Sequence, residues 1–266
     1  YGIRGPNIPI VTACSAGTNA IGEAFRAIRD GYLDLALAGG AEAPINAFGV
    51  AGFMNMKALS TSTDPETASI PFDKRRSGFV MAEGAGMMVL EDYDRAIARK
   101  AQILGEIVGY GSTSDAYHIT APDETAEAVA ACMTIAFADA GIQPEEVGYV
   151  NAHGTSTVLN DKYETLGLKK AFGPYAYELS VSSTKSMTGH ALGATGAIES
   201  IITLLAVAEG IVPPTIHYLE PDPDCDLDYT PNVAKKRDLA YGMNINLGFG
   251  GQNAAVIFKH VQGAEQ

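Results

Sequence analysis

Residues 193–209 are apolar on nearly every side of a helix, through Ala194, Ala197, Ile198, Ile201, Ile202, Leu204, Leu205, Ala206 and Val207. A helix without a polar face belongs between two layers rather than on a surface, so the chain must supply a layer on each side of it. A membrane span is not expected: the most apolar stretch, residues 197–208, falls short of the ~18 residues a span needs and is broken by Glu199, Ser200 and Thr203. The layers are sought in the flanking pattern. Residues 8–11 read as a strand and 34–38 as another. Between them, residues 17–30 carry Ile21, Ala24, Phe25 and Ile28 at helical spacing, with Gly31 as a stop, which makes a βαβ unit. Residues 80–91 end in a strand and 94–100 form a short helix. Strands follow at 103–110, 147–151 and 179–182, and helices at 124–140 (closed by Gly141) and 162–172. The chain finishes in a strand pair at 241–247 and 254–259. This alternation predicts an α/β fold with buried mixed sheets.

With 266 residues, 47% hydrophobic and 18% charged, the chain has ample material for a core and is not disordered. Its net charge of −13 argues against general nucleic-acid binding, which needs a basic surface. The acidity is uneven: residues 1–100 hold 10 basic and 11 acidic side chains, and residues 101–266 hold 8 and 20. Three cysteines, none in a C-x-x-C pair, give no disulfide framework and fit a reducing, cytoplasmic setting. The sequence opens on Tyr1 with neither an initiator Met nor a signal-peptide pattern, which reads as a fragment.

Cys14 falls between a strand and a helix in Thr12-Ala13-Cys14-Ser15-Ala16-Gly17. A sulfur at a helix N-terminus is stabilised as thiolate by the macrodipole and free N–H groups, so Cys14 reads either as an activated nucleophile or as a small buried hydrophobe. Cys132, in an apolar helix, reads as core; Cys225, in the acidic 220–228 loop, as incidental. His153 leaves a buried-type strand in Asn151-Ala152-His153-Gly154-Thr155-Ser156-Thr157, and His190 follows another strand in Lys185-Ser186-Met187-Thr188-Gly189-His190. Both occupy β-to-α junctions, where α/β proteins place ligands, although each alone is equally a hydrogen-bonded structural residue. Zinc is disfavoured because neither histidine has a ligand partner three to five residues on. His118, His217 and His260 lack such a setting. Gly248-Phe249-Gly250-Gly251, between two apolar runs, reads as an oxyanion-binding turn or a plain hairpin.

In this order the motifs resemble the β-ketoacyl-acyl carrier protein synthases, most of all the elongating type II enzymes of fatty acid synthesis. The resemblance runs over the whole chain, through Pro71-Phe72-Asp73, Glu83-Gly84-Ala85-Gly86, Ala116-Tyr117-His118 and Pro221-Asp222-Pro223 as well. It implies a thiolase-like fold of five layers, α-β-α-β-α, with residues 1–100 as the later part of a first half and 101–266 as the second. Roughly the first third of a usual member is then missing.

The implied activity is decarboxylative condensation of an acyl-enzyme with malonyl-acyl carrier protein, lengthening the chain by two carbons. The implied roles are Cys14 as nucleophile, His153 and His190 as the pair that binds the malonyl thioester and stabilises its enolate, and Lys185 as organiser of the His190 side. A Lys⁺ there also favours neutral histidines and a thiolate. Main-chain N–H groups of Cys14 and Phe249 form the oxyanion hole, with Phe249 also a gatekeeper. Thr155 and Thr157 match pantetheine-binding hydroxyls, Phe53 and Gly250 match substrate-lining positions, and Lys57 matches a carrier-docking position, with Lys74, Arg75 and Arg76 as further docking candidates. Glu199 is a supporting, charge-balancing residue. No cofactor or metal is implied, since substrates ride on the phosphopantetheine of acyl carrier protein. The implied assembly is a homodimer through residues 8–11, or a heterodimer with a ketosynthase-like partner. A ketosynthase of type II polyketide or polyene synthesis shares every catalytic residue; a non-catalytic partner subunit lacks the nucleophile. A cysteine hydrolase of Cys14, His153 and Asn151 fits poorly, because Asn151 and His153 leave one strand end together. One stretch departs from the pattern: Ile245-Asn246-Leu247 stands where relatives usually read Asn-Ser-Phe.

Overall fold

The computed structural model describes residues 2–261. Tyr1 and residues 262–266, the outer ends of the two expected halves, lie outside the described residues. In chain order the elements are α1 (Ala16–Arg29), β1 (Leu35–Glu42), α2 (Ala47–Asn55), α3 (Pro65–Ala68), β2 (Gly84–Glu91), α4 (Tyr93–Ala98), β3 (Glu106–Ser114) and α5 (Glu127–Ala140). They continue with β4 (Val147–Asn151), α6 (Val158–Phe172), β5 (Ser180–Ser182), α7 (Lys185–Thr188), α8 (Thr195–Glu209), β6 (Ile211–Val212), β7 (Lys235–Lys236), β8 (Tyr241–Gly248) and β9 (Gln252–Lys259). Five strands form a mixed sheet in the order β3-β9-β8-β4-β5, parallel through β8, β4 and β5 and antiparallel through β3, β9 and β8. A separate antiparallel pair is formed by β1 and β2.

The apolar helix lies where its composition demands. Helix α8 packs on α1, and both helices touch the β1–β2 pair and the five-stranded sheet. Period-two alternation along β9 divides the core between the sheet's two faces. Ala254, Val256 and Phe258 join Ile21, Ala38, Met88, Ala197, Leu204 and Val207 on the α1/α8 side. Ala255 and Ile257 join Met133, Phe137, Leu168 and Phe172 of α5 and α6 on the other. One core cluster thus draws on both halves of the chain. The helices close because small residues meet. A Cβ built on Gly196 of α8 would stand 2.6 Å from Thr18 N and 3.0 Å from Asn246 Oδ1, so glycine there lets α1, α8 and β8 converge.

Several expectations change. Residues 8–11 form no strand: Ile8 and Val11 are exposed, and among the described residues nothing pairs with them. Pro9 removes one ladder donor, and an unpaired apolar run has no ladder to join, so the predicted βαβ unit is a helix and a strand. The 3₁₀ turn Leu192–Ala194 runs into α8, giving an 18-residue helical stretch, Leu192–Glu209, of mean hydropathy 1.5. By length and composition it is sufficient to cross a membrane, contrary to the sequence estimate, but just over half of it is packed inside the protein. Helix α2 was not anticipated; two glycines, Gly49 and Gly52, weaken its helical pattern, and the Asn46 side chain caps it by accepting from Gly49 N. Cys225 is not incidental. It is buried in the larger core beside the Arg76–Asp161–Asp222 cluster.

Candidate active site

Cys14 lies in the 3₁₀ turn Ala13–Ser15 that leads into α1. Ala13, with φ of 51°, takes a left-handed conformation that a side chain adopts at a cost, and the turn it makes delivers the sulfur to a cavity. Strand β8 closes against this turn at Gly248, where a Cβ would stand 2.7 Å from Thr12 O and 3.3 Å from Cys14 N. Only glycine lets the strand approach the Cys14 turn so closely.

The two histidines arrive from the parallel edge of the large sheet. His153 lies just beyond β4, and its main-chain N–H and that of Gly154 donate to the two carboxylate oxygens of Glu164 in α6, at 2.6 and 2.7 Å. Burial pushes the Glu164 carboxyl up to about 7 while these N–H groups pull it down. His190 is held by main chain: its N–H donates to Val80 O and its carbonyl accepts from Ala82 N. The imidazoles meet edge to face, with centroids 5.3 Å apart. The side-chain donor atoms of Cys14, His153 and His190 all lie within 4.8 Å of one another. Residues 139 and 176 positions apart in sequence thus share one point with the sulfur, which no local spacing rule could reveal.

Behind them, among buried side chains, Lys185 Nζ donates to Glu199 Oε1 at 2.6 Å. Asn246 Nδ2 donates to Glu199 Oε2 at 2.7 Å and lies 3.3 Å from His153 Nδ1, while His190 Nδ1 lies 3.0 Å from Thr195 Oγ1. The cavity in front, about 340 Å³, is lined by Cys14, His153, His190, Phe53, Lys57, Thr155, Thr157 and Phe249. Thr155 and Thr157 share a hydroxyl–hydroxyl bond of 2.9 Å. Phe53 stands 5.3 Å from Phe79 and 6.5 Å from Phe249, and Phe79 packs edge-on to His190, so aromatic rings frame the approach to the sulfur.

Two expected site residues are placed differently. Gly250 does not line the cavity; its N–H donates to Ile119 O at 2.8 Å, and its φ of 89° makes it part of the β8–β9 turn. Arg76 is buried, bonded to the carbonyls of Asp73, Thr157 and Val158 and paired with Asp222, so its guanidinium cannot meet a partner. Residues that the motifs did not single out are Glu164, Thr195 and Phe79; Asn246 was marked only as part of a departure from the family pattern, with no role attached. Each touches the site through a contact placed by the fold, which nothing in its local sequence marks.

Electrostatics correct the thiolate expectation. Burial pushes the Cys14 thiol up to about 11, against the charge of Lys185 and the main-chain N–H groups of Phe249 and Cys14, which pull it down. Burial also holds both histidines well below their ordinary range, and Lys185 adds to the effect. The resting site therefore holds a neutral thiol and two neutral imidazoles, as expected of the histidines and not of the sulfur. Three such donors could in principle hold a metal, which sequence spacing did not suggest; the Lys185 charge felt by all three opposes a cation there. Alkylation of Cys14 by iodoacetamide is expected to rise about tenfold per pH unit through pH 9, as the thiolate fraction grows below the thiol's pKa. A plateau near pH 8 in labelling followed by mass spectrometry would contradict the buried-thiol assignment.

A cysteine-bearing turn, two facing imidazoles and a helix pair held between two sheets define a thiolase-like ketosynthase fold. Comparison with known proteins agrees. The β-ketoacyl synthase N-terminal domain profile matches residues 1–96, and the C-terminal domain profile matches residues 104–219. The chain is 54% identical over 258 residues to 3-oxoacyl-[acyl-carrier-protein] synthase 2 of Staphylococcus aureus, covering 97% of this chain and 62% of that protein. The Synechocystis enzyme of the same name is 50% identical over 262 residues, 98% of this chain and 63% of that one. Among solved structures, a type II polyketide ketosynthase in complex with its acyl carrier protein superposes with a TM-score of 0.93 at 41% identity, covering 95% of this chain and 62% of that one. A β-ketoacyl synthase from Burkholderia phymatum gives 0.90 at 41%, covering 96% and 62%. The chain belongs to the β-ketoacyl synthase family. It spans a little over three fifths of the length of the curated relatives it matches.

Proposed function

We propose that this chain carries the active site of a 3-oxoacyl-acyl carrier protein synthase, which condenses an acyl-enzyme with malonyl-acyl carrier protein. The observation that supports it is the meeting of Cys14, His153 and His190 within 4.8 Å at one cavity. In the first step the Cys14 sulfur attacks the acyl thioester carbonyl. The carbon–sulfur bond to pantetheine breaks, and the thiol proton leaves with the carrier's sulfur. In the second, malonyl thioester binds with its carbonyl oxygen toward the two imidazoles. The bond to the carboxylate carbon breaks, CO2 departs, and the electron pair forms an enolate whose oxygen the histidines stabilise. The enolate carbon then attacks the acyl carbonyl on Cys14. A carbon–carbon bond forms, the carbon–sulfur bond to Cys14 breaks, the sulfur leaves as thiolate and takes one proton from water, and the tetrahedral oxyanion is held by the N–H groups of Cys14 and Phe249. Burial favours the steps in which charge develops on oxygen, because dipoles aimed at developing charge act more strongly away from water; at the sulfur it acts the other way, opposed by the Lys185 charge and the main-chain N–H groups of Phe249 and Cys14. Incubation with acyl- and malonyl-carrier protein should yield CO2 and a 3-oxoacyl product two carbons longer; neither CO2 release nor acylation would reject the reading.

A polyketide ketosynthase is the second reading, favoured by the 0.93 superposition on such an enzyme. Products from saturated against poly-β-keto or polyene primers separate the two. Retention of Cys14 and both histidines speaks against a non-catalytic partner subunit.

Thr155 and Thr157 are read as pantetheine contacts, Phe53 and Phe249 as the acyl entrance, and Lys57 as a carrier contact. Lys57 is exposed at the cavity rim just beyond α2, whereas Arg75 is paired with Asp73. A single exposed cation facing an acidic carrier should act mainly on encounter, so Lys57→Glu is expected to raise the KM for carrier-bound substrate about three- to tenfold with kcat little changed. Steady-state kinetics with carrier-bound and free pantetheine thioesters test this; equal effects on both substrates would remove Lys57 from the docking surface. We read residues 1–100 and 101–266 as parts of two thiolase-like halves, with a fifth layer against the exposed face of β1–β2 (Leu35, Leu37, Met87, Val89). The same reading gives a cytoplasmic dimer joined through residues 8–11.

A further inference from the structure

Among the described residues, Asn246 is the one side chain hydrogen-bonded to both the Lys185–Glu199 ion pair and a catalytic imidazole, and it stands where the family resemblance leads one to expect serine. Its amide is pinned at both ends. The Glu199 carboxylate has one oxygen on Lys185, and its second oxygen lies 2.7 Å from Asn246. A carboxylate paired in this way accepts, so the Asn246 atom facing it is nitrogen. On the opposite side Asn244 Nδ2 lies 3.2 Å from the Gly196 carbonyl. That carbonyl can only accept, so Asn244 presents its donor there. The same nitrogen lies 3.0 Å from Asn246, which must therefore present oxygen, and this oxygen also takes the Thr18 hydroxyl at 2.5 Å. The remaining Asn246 N–H points at His153 Nδ1, 3.3 Å away.

We propose that Asn246 is a positioning residue that fixes His153 as the Nε2–H tautomer, making this imidazole a hydrogen-bond donor to the cavity and not a base. An Nδ1 that accepts from Asn246 carries no proton, so the neutral ring holds its proton on Nε2, the nitrogen left for substrate. The consequence for turnover rests on the condensing-enzyme reading: a donor stabilises the thioester oxygen as it becomes an enolate, whereas a base could not. Thr18, Asn244, Glu199 and Lys185 then form a chain from the helix pair to the histidine, and Gly196 is the close contact that lets it form.

Two-bond 1H–15N NMR of the purified protein labelled at histidine reads the tautomer without reference to activity. The wild type should show His153 with a bare Nδ1 and a protonated Nε2. Asn246→Asp replaces the donor with an acceptor and should move the proton to Nδ1. Asn246→Ser, the residue expected from the resemblance and thus the safer variant for folding, cannot span Glu199 and His153 together and should give a tautomer mixture. For Asn246→Ser, condensation should show kcat lower by about tenfold with the KM for malonyl carrier within about twofold, since an interaction made as charge develops is lost and binding is not. The His190 signals, whose Nδ1 lies against Thr195, should stay unchanged. A wild-type His153 protonated at Nδ1, or an Nε2–H tautomer that persists in both variants, overturns the proposal. If the tautomers behave as expected but no thioester is condensed, the assignment stands and the functional reading fails.

Discussion

Cys14→Ala is expected to eliminate acyl-enzyme formation, with the rate of acyl transfer falling by about 10³-fold or more, as for removal of any sole nucleophile. Intact-protein mass spectrometry after incubation with acyl carrier protein thioesters should show the acyl mass on the wild type and none on the variant. The other cysteines give an internal control. Burial pushes Cys132 and Cys225 up to about 12, and neither lines the cavity, so label should not migrate to them. The same variant separates the two halves of the proposed reaction. In the proposed reaction decarboxylation rests on His153 and His190 at the malonyl carbonyl, and the hydrogen bonds that hold these imidazoles come from Asn246 and Thr195 and not from the sulfur. CO2 release from malonyl carrier protein should therefore survive in Cys14→Ala while chain extension stops. Acyl transfer at wild-type rate, or an acyl adduct on the variant, would show that another group is the nucleophile.

Much of this was legible in the chain, and the reason differs by element. The α8 segment announced its place because apolarity on all sides has one physical solution, burial between layers. The β8–β9 pair announced itself through two apolar runs around glycines. Cys14, His153 and His190 were readable as a set through motif resemblance; individually each had an ordinary structural explanation. What escaped is everything that depends on distance through space. Glu164 reaches the site through main-chain N–H groups, so nothing in its helix marks it. Arg76 looked like a docking cation because nothing in Lys74-Arg75-Arg76 shows that carbonyls of residues 157 and 158 surround the third side chain. The thiolate expectation failed for a related reason: position at a helix start can be read from sequence, but the depth of burial that outweighs it cannot. Residues 8–11 show the converse error, where a correct apolar pattern was assigned a partner strand that the described residues do not supply.

Lys185→Met should destabilise the fold and impair the chemistry by separable routes. The variant leaves the Glu199 carboxylate buried opposite an apolar side chain, with the Asn246 N–H as its remaining side-chain donor of short distance. Breaking a buried ion pair from one side costs about 3–5 kcal/mol. For a chain of this size that lowers Tm by roughly 10 °C. Removing the second charge as well, in Lys185→Met with Glu199→Gln, takes away the uncompensated carboxylate and should recover most of that loss, so the double-mutant cycle is expected to be strongly non-additive. Activity should not recover with it. The Lys185 charge opposes the burial that pushes the Cys14 thiol up, so without it the thiol rises further and the thiolate is scarcer at every pH. Alkylation of Cys14 at pH 8 should therefore slow by about tenfold in the single variant, one pKa unit being worth a factor of ten in thiolate, and by less in the double variant, where the Glu199 charge that pushes the thiol up is removed as well. Calorimetry and labelling read the two effects independently. A double variant that regains both stability and thiol reactivity would mean that Lys185 serves only to neutralise Glu199; one that regains stability alone assigns its charge to the chemistry at the sulfur.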